Sequence, residues 1–440
     1  MMSILDLRDE ELTARELAER LPRASLDVEG ALAQVRPIIE DVAAHGGSAI
    51  RHWTLEFDQA NPPKLRVPQS VIDDALENLD PQVRSGLEIA IEHNRAGHEA
   101  QLPEEKETEI IPGGYVRQRW IPVRRVGLYV PGGLAVYPSS VVMNVVAAQV
   151  AGVDEIAVAS PPQKDFGHYP HPTILAACAL LGVEEVYAMG GAQAIAAFAY
   201  GFEDDEDVAE NACGPVDVVT GPGNIFVAAA KRAVQSVCGI DAEAGTTEIA
   251  IIADSTANAR YVARDLISQA EHDPAAASVL ITDSPELADE VNKVMEEMVS
   301  KTKHADRCRT ALSGPQSGIV LTRNLEQSIF VADTYAAEHL EIHTANAAED
   351  ARKIRNAGAI FVGPYTPVPL GDYIAGSNHV LPTGGTARFA SGLNVHAYIK
   401  SVQEIEYDEQ ALAKLADPLV ALAESEDLPA HGEAARERNQ

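Results

Sequence analysis

Short apolar segments alternate with longer segments of helical periodicity from Ile121 onward, and this alternation constrains the fold more than any other feature of the chain. The apolar segments cover residues 126–130, 155–159, 185–188 and 216–219. The helical segments cover residues 141–151, 172–181, 192–200 and 225–237. Strands that alternate with helices in this way pair in parallel. The sequence therefore predicts an α/β domain with a largely parallel sheet over residues 121–240.

The alternation resumes after residue 240 and predicts a second α/β domain over residues 241–383. Its predicted strands cover residues 248–253, 278–282, 318–321 and 359–362, and its predicted helices cover residues 255–272 and 286–298. A chain of 440 residues is too long for one simple core, which agrees with two domains. The predicted fold class is therefore α/β, with two Rossmann-like parallel-sheet domains.

The two ends of the chain carry helical patterns instead. Residues 1–120 predict an N-terminal helical segment, with packing against the second α/β domain as one arrangement, and the acidic stretch 104–109 predicts a solvated connector. Residues 384–440 predict an extended C-terminal tail that is helical and acidic after Val402 and is broken by Pro418 and Pro429.

Acidic side chains outnumber basic ones, and this excess limits the partners of the chain. The sequence contains 66 Asp and Glu residues against 34 Lys and Arg residues, for a formal net charge of -32. Such a surface repels nucleic acid and anionic membranes, so we expect neither as a partner. Because the acidic residues are spread along the whole chain, the composition favours adaptation to a cytosol of high salt over an ordinary acidic enzyme.

The sequence carries neither a targeting pattern nor a cysteine framework. Residues 1–25 are charged throughout, unlike a secretory signal, and no apolar stretch is long enough to span a bilayer. The four cysteines lie far apart and form no Cys-x-x-Cys pair: Cys178, Cys213, Cys238 and Cys308. We interpret them as buried thiols of a cytoplasmic protein.

Glycine-rich loops follow three predicted strands of the first α/β domain. They are Val130-Pro131-Gly132-Gly133, Met189-Gly190-Gly191-Ala192-Gln193 and Thr220-Gly221-Pro222-Gly223-Asn224. Ligands of parallel sheets bind beyond the carboxyl ends of the strands, and glycine lets the backbone approach a phosphate. Gly-x-Gly-x-x-Gly is absent, so these loops predict a non-standard dinucleotide site and are equally typical of tight turns in any α/β protein.

Two side chains near the end of the predicted helix 255–272 suggest a metal site. Gln269 and His272 are three residues apart and share one helix face, and Pro274 places His272 in the last turn. Unpaired carbonyls at a helix end favour a cation. Taken alone, the pair is more typical of a polar helix end that faces water.

Four other residues are candidates for catalysis or metal binding. Glu338 and His339 are adjacent and would point about 100° apart on a helix, so they could serve two successive proton transfers or form a surface pair. Asp372 follows a predicted strand and a proline-rich loop, where a carboxylate is either a ligand or a helix cap. His431 follows Glu426 in the predicted tail.

Several motifs together resemble the histidinol dehydrogenase family. They are Ser268-Gln269-Ala270-Glu271-His272, Ala337-Glu338-His339-Leu340-Glu341, Gly371-Asp372-Tyr373, Asn378-His379-Val380-Leu381-Pro382-Thr383 and Gly221-Pro222-Gly223-Asn224. The resemblance runs in order from about Asp27 to His431. It implies oxidation of L-histidinol to L-histidine in two NAD-dependent steps with a zinc ion.

The resemblance also implies roles for individual residues. The implied zinc ligands are Gln269, His272, Asp372 and His431. His339 is implied as the base that takes the alcohol proton, and Glu338 as the group that activates water for the second step. The implied NAD contacts are Tyr129, Gln193 and Asn224. The implied substrate contacts are Thr247, Gln269, His272, His339, Asp372, Glu426 and His431, with threonine at position 247 where the family has serine.

Members of the family are homodimers in which the C-terminal tail reaches the other subunit. The resemblance therefore implies that Glu426 and His431 complete the site of a second copy. Two alternatives remain: a related dehydrogenase that acts on another small alcohol, such as a sulfonated propanediol, and a non-catalytic zinc-binding scaffold. The presence of Glu426 and His431 argues against the first, and the intact Glu338 and His339 pair argues against the second.

Overall fold

The N-terminal segment contributes one strand and four helices to the fold. The computed structural model describes residues 2–24, 27–132, 136–203, 212–242 and 245–438; Gly133 of the first glycine loop lies outside them. The elements are β1 (Ser3–Asp6), α1 (Ala14–Arg20), α2 (Val28–Asp58), α3 (Gln69–Glu77) and α4 (Pro81–Glu99). The strand β1 was not predicted, because four residues carry too little local pattern.

A small antiparallel sheet follows the N-terminal helices. It contains β2 (Lys106–Ile111) and β3 (Gly114–Pro122), and its third strand, Ile399–Tyr407, comes from near the end of the chain. The prediction of a solvated connector over 104–109 was therefore wrong from Lys106 onward. These charged residues form a strand because β3 supplies a partner for their backbone groups.

The first α/β domain contains a five-stranded parallel sheet. Its strands are β4 (Arg125–Tyr129), β5 (Glu155–Ser160), β6 (Glu185–Ala188), β7 (Val218–Thr220) and β8 (Gly239–Ile240), in the order β6-β5-β4-β7-β8. Its helices are α5 (Pro138–Ala151), α6 (Pro172–Leu180), α7 (Gly191–Tyr200) and α8 (Ile225–Val234). The N-terminal helices form an outer layer, with α2 against α7 and α8, and α3 and α4 against α6 and α5.

The second α/β domain contains a six-stranded parallel sheet to which β1 belongs. Its other strands are β9 (Glu248–Ala253), β10 (Ala277–Thr282), β11 (Gly318–Leu321), β12 (His339–His343) and β13 (Ala359–Val362), in the order β1-β11-β10-β9-β12-β13. The helices are α9 (Ala259–Ala270), α10 (Pro285–Val299), α11 (Ala305–Ser313), α12 (Leu325–Tyr335), α13 (Ala347–Ala351) and α14 (Val368–Tyr373). The prediction of two Rossmann-like parallel-sheet domains is confirmed.

Two local predictions around the candidate residues were wrong. The helix that carries Gln269 begins after Asn258, whose side chain caps the Arg260 N–H, and it ends at Ala270, so His272 lies beyond the helix. The pair Glu338 and His339 does not lie on a helix. The helix α12 ends at Tyr335, Ala336 adopts a left-handed conformation, and His339 opens the buried strand β12.

The tail begins with a strand and ends with two helices. The strand β14 (Ile399–Tyr407) pairs with β3, and α15 (Glu409–Ser425) packs on α16 (Pro429–Glu437). The prediction of a helical tail after Val402 was wrong as far as Tyr407, which lies in β14, and is confirmed for α15 and α16. Pro418 lies inside α15 without ending it, whereas Pro429 opens α16.

The four cysteines are buried free thiols, as predicted. No helix in the described part of the chain combines the length and apolar character needed to cross a membrane.

Candidate active site between the two sheets

Thr247 joins two of the predicted site residues. It lies immediately before β9, at the amino end of the second sheet. Its hydroxyl accepts a hydrogen bond from Gln269 Nε2 at 2.7 Å and donates one to Glu338 Oε2 at 2.5 Å. The backbone N–H of Glu248 also donates to Glu338 Oε2, at 2.9 Å. Thr247, the predicted substrate contact, therefore links the Gln269 amide to the Glu338 carboxylate through hydrogen bonds.

The Gln269 amide has a free oxygen. Because its nitrogen donates to Thr247, Oε1 is the atom that faces elsewhere, and this buried atom has no hydrogen-bond partner in the described part of the structure. An unpaired buried acceptor costs about 1–3 kcal/mol. A cation at Oε1 would satisfy it, so the geometry fits the role of Gln269 as a metal ligand.

His339 lies between two carboxylates. Its Nδ1 is 3.3 Å from the carbonyl oxygen of Glu248 and 3.5 Å from Glu338 Oε2, and its Nε2 is 3.7 Å from Asp372 Oδ1. Burial lowers the pKa of His339, but the charges of Glu338 and Asp372 outweigh it and raise this pKa to about 9. Burial raises the pKa of the Glu338 carboxyl, which strengthens it as a base.

His379 links Asp372 to the first domain. Its Nδ1 is 2.9 Å from the backbone oxygen of Asp372, and its Nε2 is 2.9 Å from Ser140 Oγ in the first turn of α5. Burial raises the pKa of Asp372, but His339, His379 and His272 bring it below its ordinary value. His272 follows α9, and its backbone N–H donates to the carbonyl oxygen of Gln269 at 3.2 Å.

The predicted cofactor residues lie at the carboxyl edge of the first sheet. Tyr129 ends β4, and its hydroxyl accepts the Gly191 N–H at 3.3 Å. Gln193 lies in the first turn of α7, buried, and neither atom of its amide has a hydrogen-bond partner among the described residues. Asn224 caps α8 through the N–H groups of Phe226 and Val227. The unpaired amide of Gln193 fits a bound ligand, whereas the Asn224 Oδ1 already serves the helix.

The structure does not bring the two tail residues into this group. Glu426 and His431 are exposed, and no hydrogen bond or ion pair within the described residues links them to Gln269, His272 or Asp372. A site that includes them would therefore need a second copy of the chain.

Sequence reasoning missed three residues of this region. His379 belongs to a motif of the family resemblance but received no role, and no sequence pattern marks Ser140. Asp58, at the end of α2, has a buried oxygen without a hydrogen-bond partner in the described structure, and burial raises its pKa to about 6. Burial raises the pKa of the Tyr129 hydroxyl, and the charge of Asp58 raises it further. No local signal marks Asp58, because its position depends on the packing of α2.

Two parallel sheets, with glycine loops at an edge of one and an imidazole between carboxylates at an edge of the other, give the chain the architecture of an α/β enzyme. The model of the histidinol dehydrogenase family matches residues 21–439. The chain belongs to that family.

Individual relatives agree over nearly the full length. The chain is 57 % identical over 438 residues to the histidinol dehydrogenase of Corynebacterium diphtheriae, covering 100 % of this chain and 97 % of that protein. It is 56 % identical over 438 residues to the histidinol dehydrogenase of Thermobifida fusca, and the match covers 100 % of this chain and 98 % of that protein. The crystal structure of histidinol dehydrogenase from Elizabethkingia anophelis superposes with a TM-score of 0.90 at 29 % identity, covering 99 % of this chain and 98 % of that one.

Proposed function

We propose that this protein oxidises L-histidinol to L-histidine by way of the aldehyde, with two molecules of NAD as acceptors and a bound zinc ion. The observation that carries the proposal is a chain of contacts in which Thr247 joins the Gln269 amide to Glu338, and Glu338 Oε2 lies 3.5 Å from His339 Nδ1. Family membership supports the choice of substrate.

The residues that would hold zinc are Gln269, His272 and Asp372, with His431 from a second copy of the chain. Their nitrogen and oxygen donors suit zinc, and the free Oε1 of Gln269 fits a cation. Zinc, when bound, would supply a Lewis acid that orients the amino alcohol.

His339 would act as the base in the first oxidation. In the neutral form of His339, with Nδ1–H directed at the Glu248 carbonyl, Nε2 is left as the acceptor, and this buried atom has no hydrogen-bond partner in the described structure. The alcohol proton would pass to Nε2, and NAD, when bound, would supply the acceptor for the hydride of the carbinol carbon. The product is the aldehyde, with one NADH.

Glu338 would act in the second oxidation. Its Oε2 already accepts from Thr247 and from the Glu248 N–H, so Oε1 is the oxygen left to take a proton from water. Water adds to the aldehyde carbon to give the hydrate, whose carbon can then release a second hydride to NAD. The carboxylate of L-histidine and a second NADH result.

NAD would bind at the carboxyl edge of the first sheet, beside Tyr129 and Gln193 and at the Asn224 loop. The unpaired Gln193 amide and the close backbone approach at Gly221 support this placement.

The tail would complete the site of a second copy in a homodimer. Apolar side chains on α15 and in the turn before α16 support this arrangement, since Leu422 is 66 % exposed and Leu428 is 42 % exposed in a single chain. Mixing inactive His431→Ala subunits with inactive His339→Asn subunits should restore partial activity, because one mixed site then has both groups intact. Verified heterodimers without activity would exclude an exchanged tail.

The reaction is tested by the ratio of NADH to histidinol in metal-loaded protein. We expect two NADH per substrate, and a ratio of one would exclude the second oxidation. A sulfonated propanediol tests the runner-up, a dehydrogenase of another small alcohol, which the presence of Glu426 and His431 disfavours. Bound zinc without NADH from either alcohol would indicate a scaffold instead.

We also place the protein in a cytosol of high salt. The net charge of -32 and the buried free thiols support this setting. Screening by KCl should raise the melting temperature, since like charges then repel one another less. A melting temperature that falls as KCl rises would contradict this assignment.

A further inference from the structure

A buried ion pair adjoins the Gly221 loop of the first domain. Lys231 projects from α8, and Asp241 directly follows β8, so the two side chains come from different elements. Lys231 Nζ donates to Asp241 Oδ1 at 2.5 Å, and the two side chains are only 1 % and 4 % exposed. Neither is one of the predicted site residues.

Both side chains also bind the backbone of Gly221. Lys231 Nζ donates to the Gly221 carbonyl oxygen at 2.9 Å, and Asp241 Oδ2 accepts the Gly221 N–H at 2.9 Å. The strand register accounts for this arrangement, because Ile240 of β8 pairs with Val219 of β7 and the two chains continue side by side. The ion pair therefore holds the peptide groups on both sides of one glycine.

Gly221 is a position where the backbone needs such a restraint. Its φ of 121° lies in a range that favours glycine, and glycine loses more backbone freedom on folding than any other residue. Pro222 follows and has no N–H to donate, so it cannot contribute a backbone hydrogen bond of that kind to the turn. Lys231 and Asp241 supply hydrogen bonds that fix the loop at this point.

Close contacts connect Gly221 to the predicted cofactor residues. A Cβ at Gly221 would lie 2.0 Å from the Tyr129 carbonyl oxygen, so the two backbones are packed against each other. The Tyr129 hydroxyl in turn accepts the Gly191 N–H, and the loop continues from Gly221 to Asn224, which caps α8. A shift of Gly221 would therefore disturb two of the three predicted NAD contacts.

Packing alone does not call for an ion pair at this place. Val227 and Val234, which share a helix face with Lys231, are buried in the apolar core. Burying two charges is unfavourable, and apolar side chains of similar volume are often equally stable. A carboxylate, however, offers two acceptor oxygens, one for Lys231 and one for the Gly221 N–H, whereas a side-chain amide offers only one. The charged pair therefore matches the task of binding both backbone groups of a glycine.

We propose that Lys231 and Asp241 are positioning residues for the dinucleotide, which hold the Gly221 loop in the conformation that NAD binds. The inference rests on the proposed NAD site. Within the described residues, the hydrogen bonds of the pair reach Gly221 and none reaches Gln269 or Asp372. The pair should therefore determine the affinity for the cofactor without changing the binding of zinc or histidinol.

The test is the affinity for NADH, measured through NADH fluorescence in purified, zinc-loaded protein without histidinol. Asp241→Asn keeps the shape but has one acceptor oxygen for two donors, so we expect NADH to bind about tenfold more weakly. Lys231→Met removes the donor, and the same loss is expected. Arg232→Met is the matched control, because Arg232 is the next residue of α8 and pairs with Glu29 at the surface. Its NADH affinity should equal that of the unchanged protein.

Steady-state rates separate positioning from loss of folded protein. In Asp241→Asn and Lys231→Met the KM for NAD should rise about tenfold, while the KM for histidinol and the zinc content stay unchanged. A smaller folded fraction would instead lower the apparent kcat and leave both KM values as they are.

Equal NADH affinity in the unchanged protein and both variants would overturn the positioning role, and so would a parallel rise of both KM values. If a single variant does not fold, as judged by circular dichroism, Lys231→Met/Asp241→Leu replaces it, because no unpaired charge is then buried. Tight NADH binding in that double variant would also overturn the role. Unchanged protein that binds NADH without oxidising histidinol would refute the proposed reaction and leave the comparison of NADH affinities intact.

Discussion

The two parallel sheets share one winding order but present their functional residues at opposite edges. In the first, β4 is flanked by β5 and β7, and in the second, β9 is flanked by β10 and β12. Each sheet therefore has a point where the direction of winding reverses. The first carries Tyr129 and the Gly221 loop at the carboxyl ends of its strands. The second carries Thr247 and His339 at the amino ends.

This difference shows that winding order does not decide which edge becomes a site. The carboxyl edge of the second sheet is used for structure instead: Asp254, which follows β9, accepts the N–H groups of Thr256 and Ala345. At its amino edge, Glu338 accepts the Glu248 N–H that opens β9. The two domains meet beside the second of these edges, because Ser140 of the first domain contacts His379, which contacts the backbone oxygen of Asp372.

The largest effect is expected when the proposed base at the amino edge of the second sheet is removed. His339→Asn should lower NADH formation by about 10²–10⁴-fold, the contribution of a positioned acid–base group. The measurement is the initial rate of NADH formation, with bound zinc determined in the same sample. The control His45→Asn changes an exposed histidine and should leave the rate unchanged. A near-normal rate in His339→Asn would exclude it as the base.

Removal of the water-activating carboxylate should separate the two oxidations. Glu338→Gln should slow oxidation of the aldehyde by about 10²–10⁴-fold while sparing the first step. It should also lower the pKa of His339, since Glu338 is one of the charges that raise it. A larger fraction of His339 is then neutral at a given pH. In a plot of the rate of the first oxidation against pH, the acid limb therefore moves to lower pH.

Single-turnover measurements from histidinol and from the aldehyde, each over a range of pH, check both statements. Equal loss in the two steps, or an acid limb that moves to higher pH, would contradict the assigned role of Glu338.

A smaller effect is expected at the Thr247 junction. Thr247→Val keeps the shape but removes the hydroxyl that orients the Gln269 amide and holds Glu338. Supporting residues of this kind typically contribute about 10–100-fold to metal affinity or activity. Thr247→Ser keeps the hydroxyl, so this variant should retain most of the zinc affinity and most of the rate of NADH formation. The readouts are the zinc dissociation constant and the NADH rate, and unchanged zinc affinity in the valine variant would remove Thr247 as the group that orients Gln269.

The smallest effect concerns the carboxyl edge of the first sheet. Gly221 has a φ of 121°, and a Cβ there would lie 2.0 Å from the Tyr129 backbone oxygen. Gly221→Ala should strain this loop by about 1–3 kcal/mol and weaken NAD binding by about tenfold, with zinc content unchanged. Gly86→Ala, where a Cβ meets no atom within 4 Å, is the matched control. Loss of zinc in Gly221→Ala would show that the two edges are not separate in function.

The sequence predicted what local periodicity controls. Alternating apolar segments indicated both parallel sheets, because burial on both faces of a strand produces a short apolar run. The strands β1, β2 and β14 were missed because their partners lie far away in sequence or their residues are charged. His339, Glu341 and His343 interrupt the apolar character of β12, so that segment was interpreted as a helix.

The candidate site was predictable only in part for a similar reason. Motifs that resemble a family predicted roles for Gln269, Glu338, His339 and Asp372. Contacts in the structure link these residues, and their roles stay predictions. No pattern marked Asp58 or Ser140, whose positions depend on tertiary packing. The tail residues Glu426 and His431 need contacts that a single chain does not make, so their role stays a prediction.

The strand β1 has a consequence for how the polypeptide is assembled. Ser3 pairs with Gly318, so the first strand of the chain must wait for a segment synthesised more than three hundred residues later. The whole five-stranded domain is thereby an insertion between two parts of the six-stranded one, and no single cut separates them. During translation the amino terminus stays without its neighbour until the second sheet emerges, so we expect that sheet to close late and slowly.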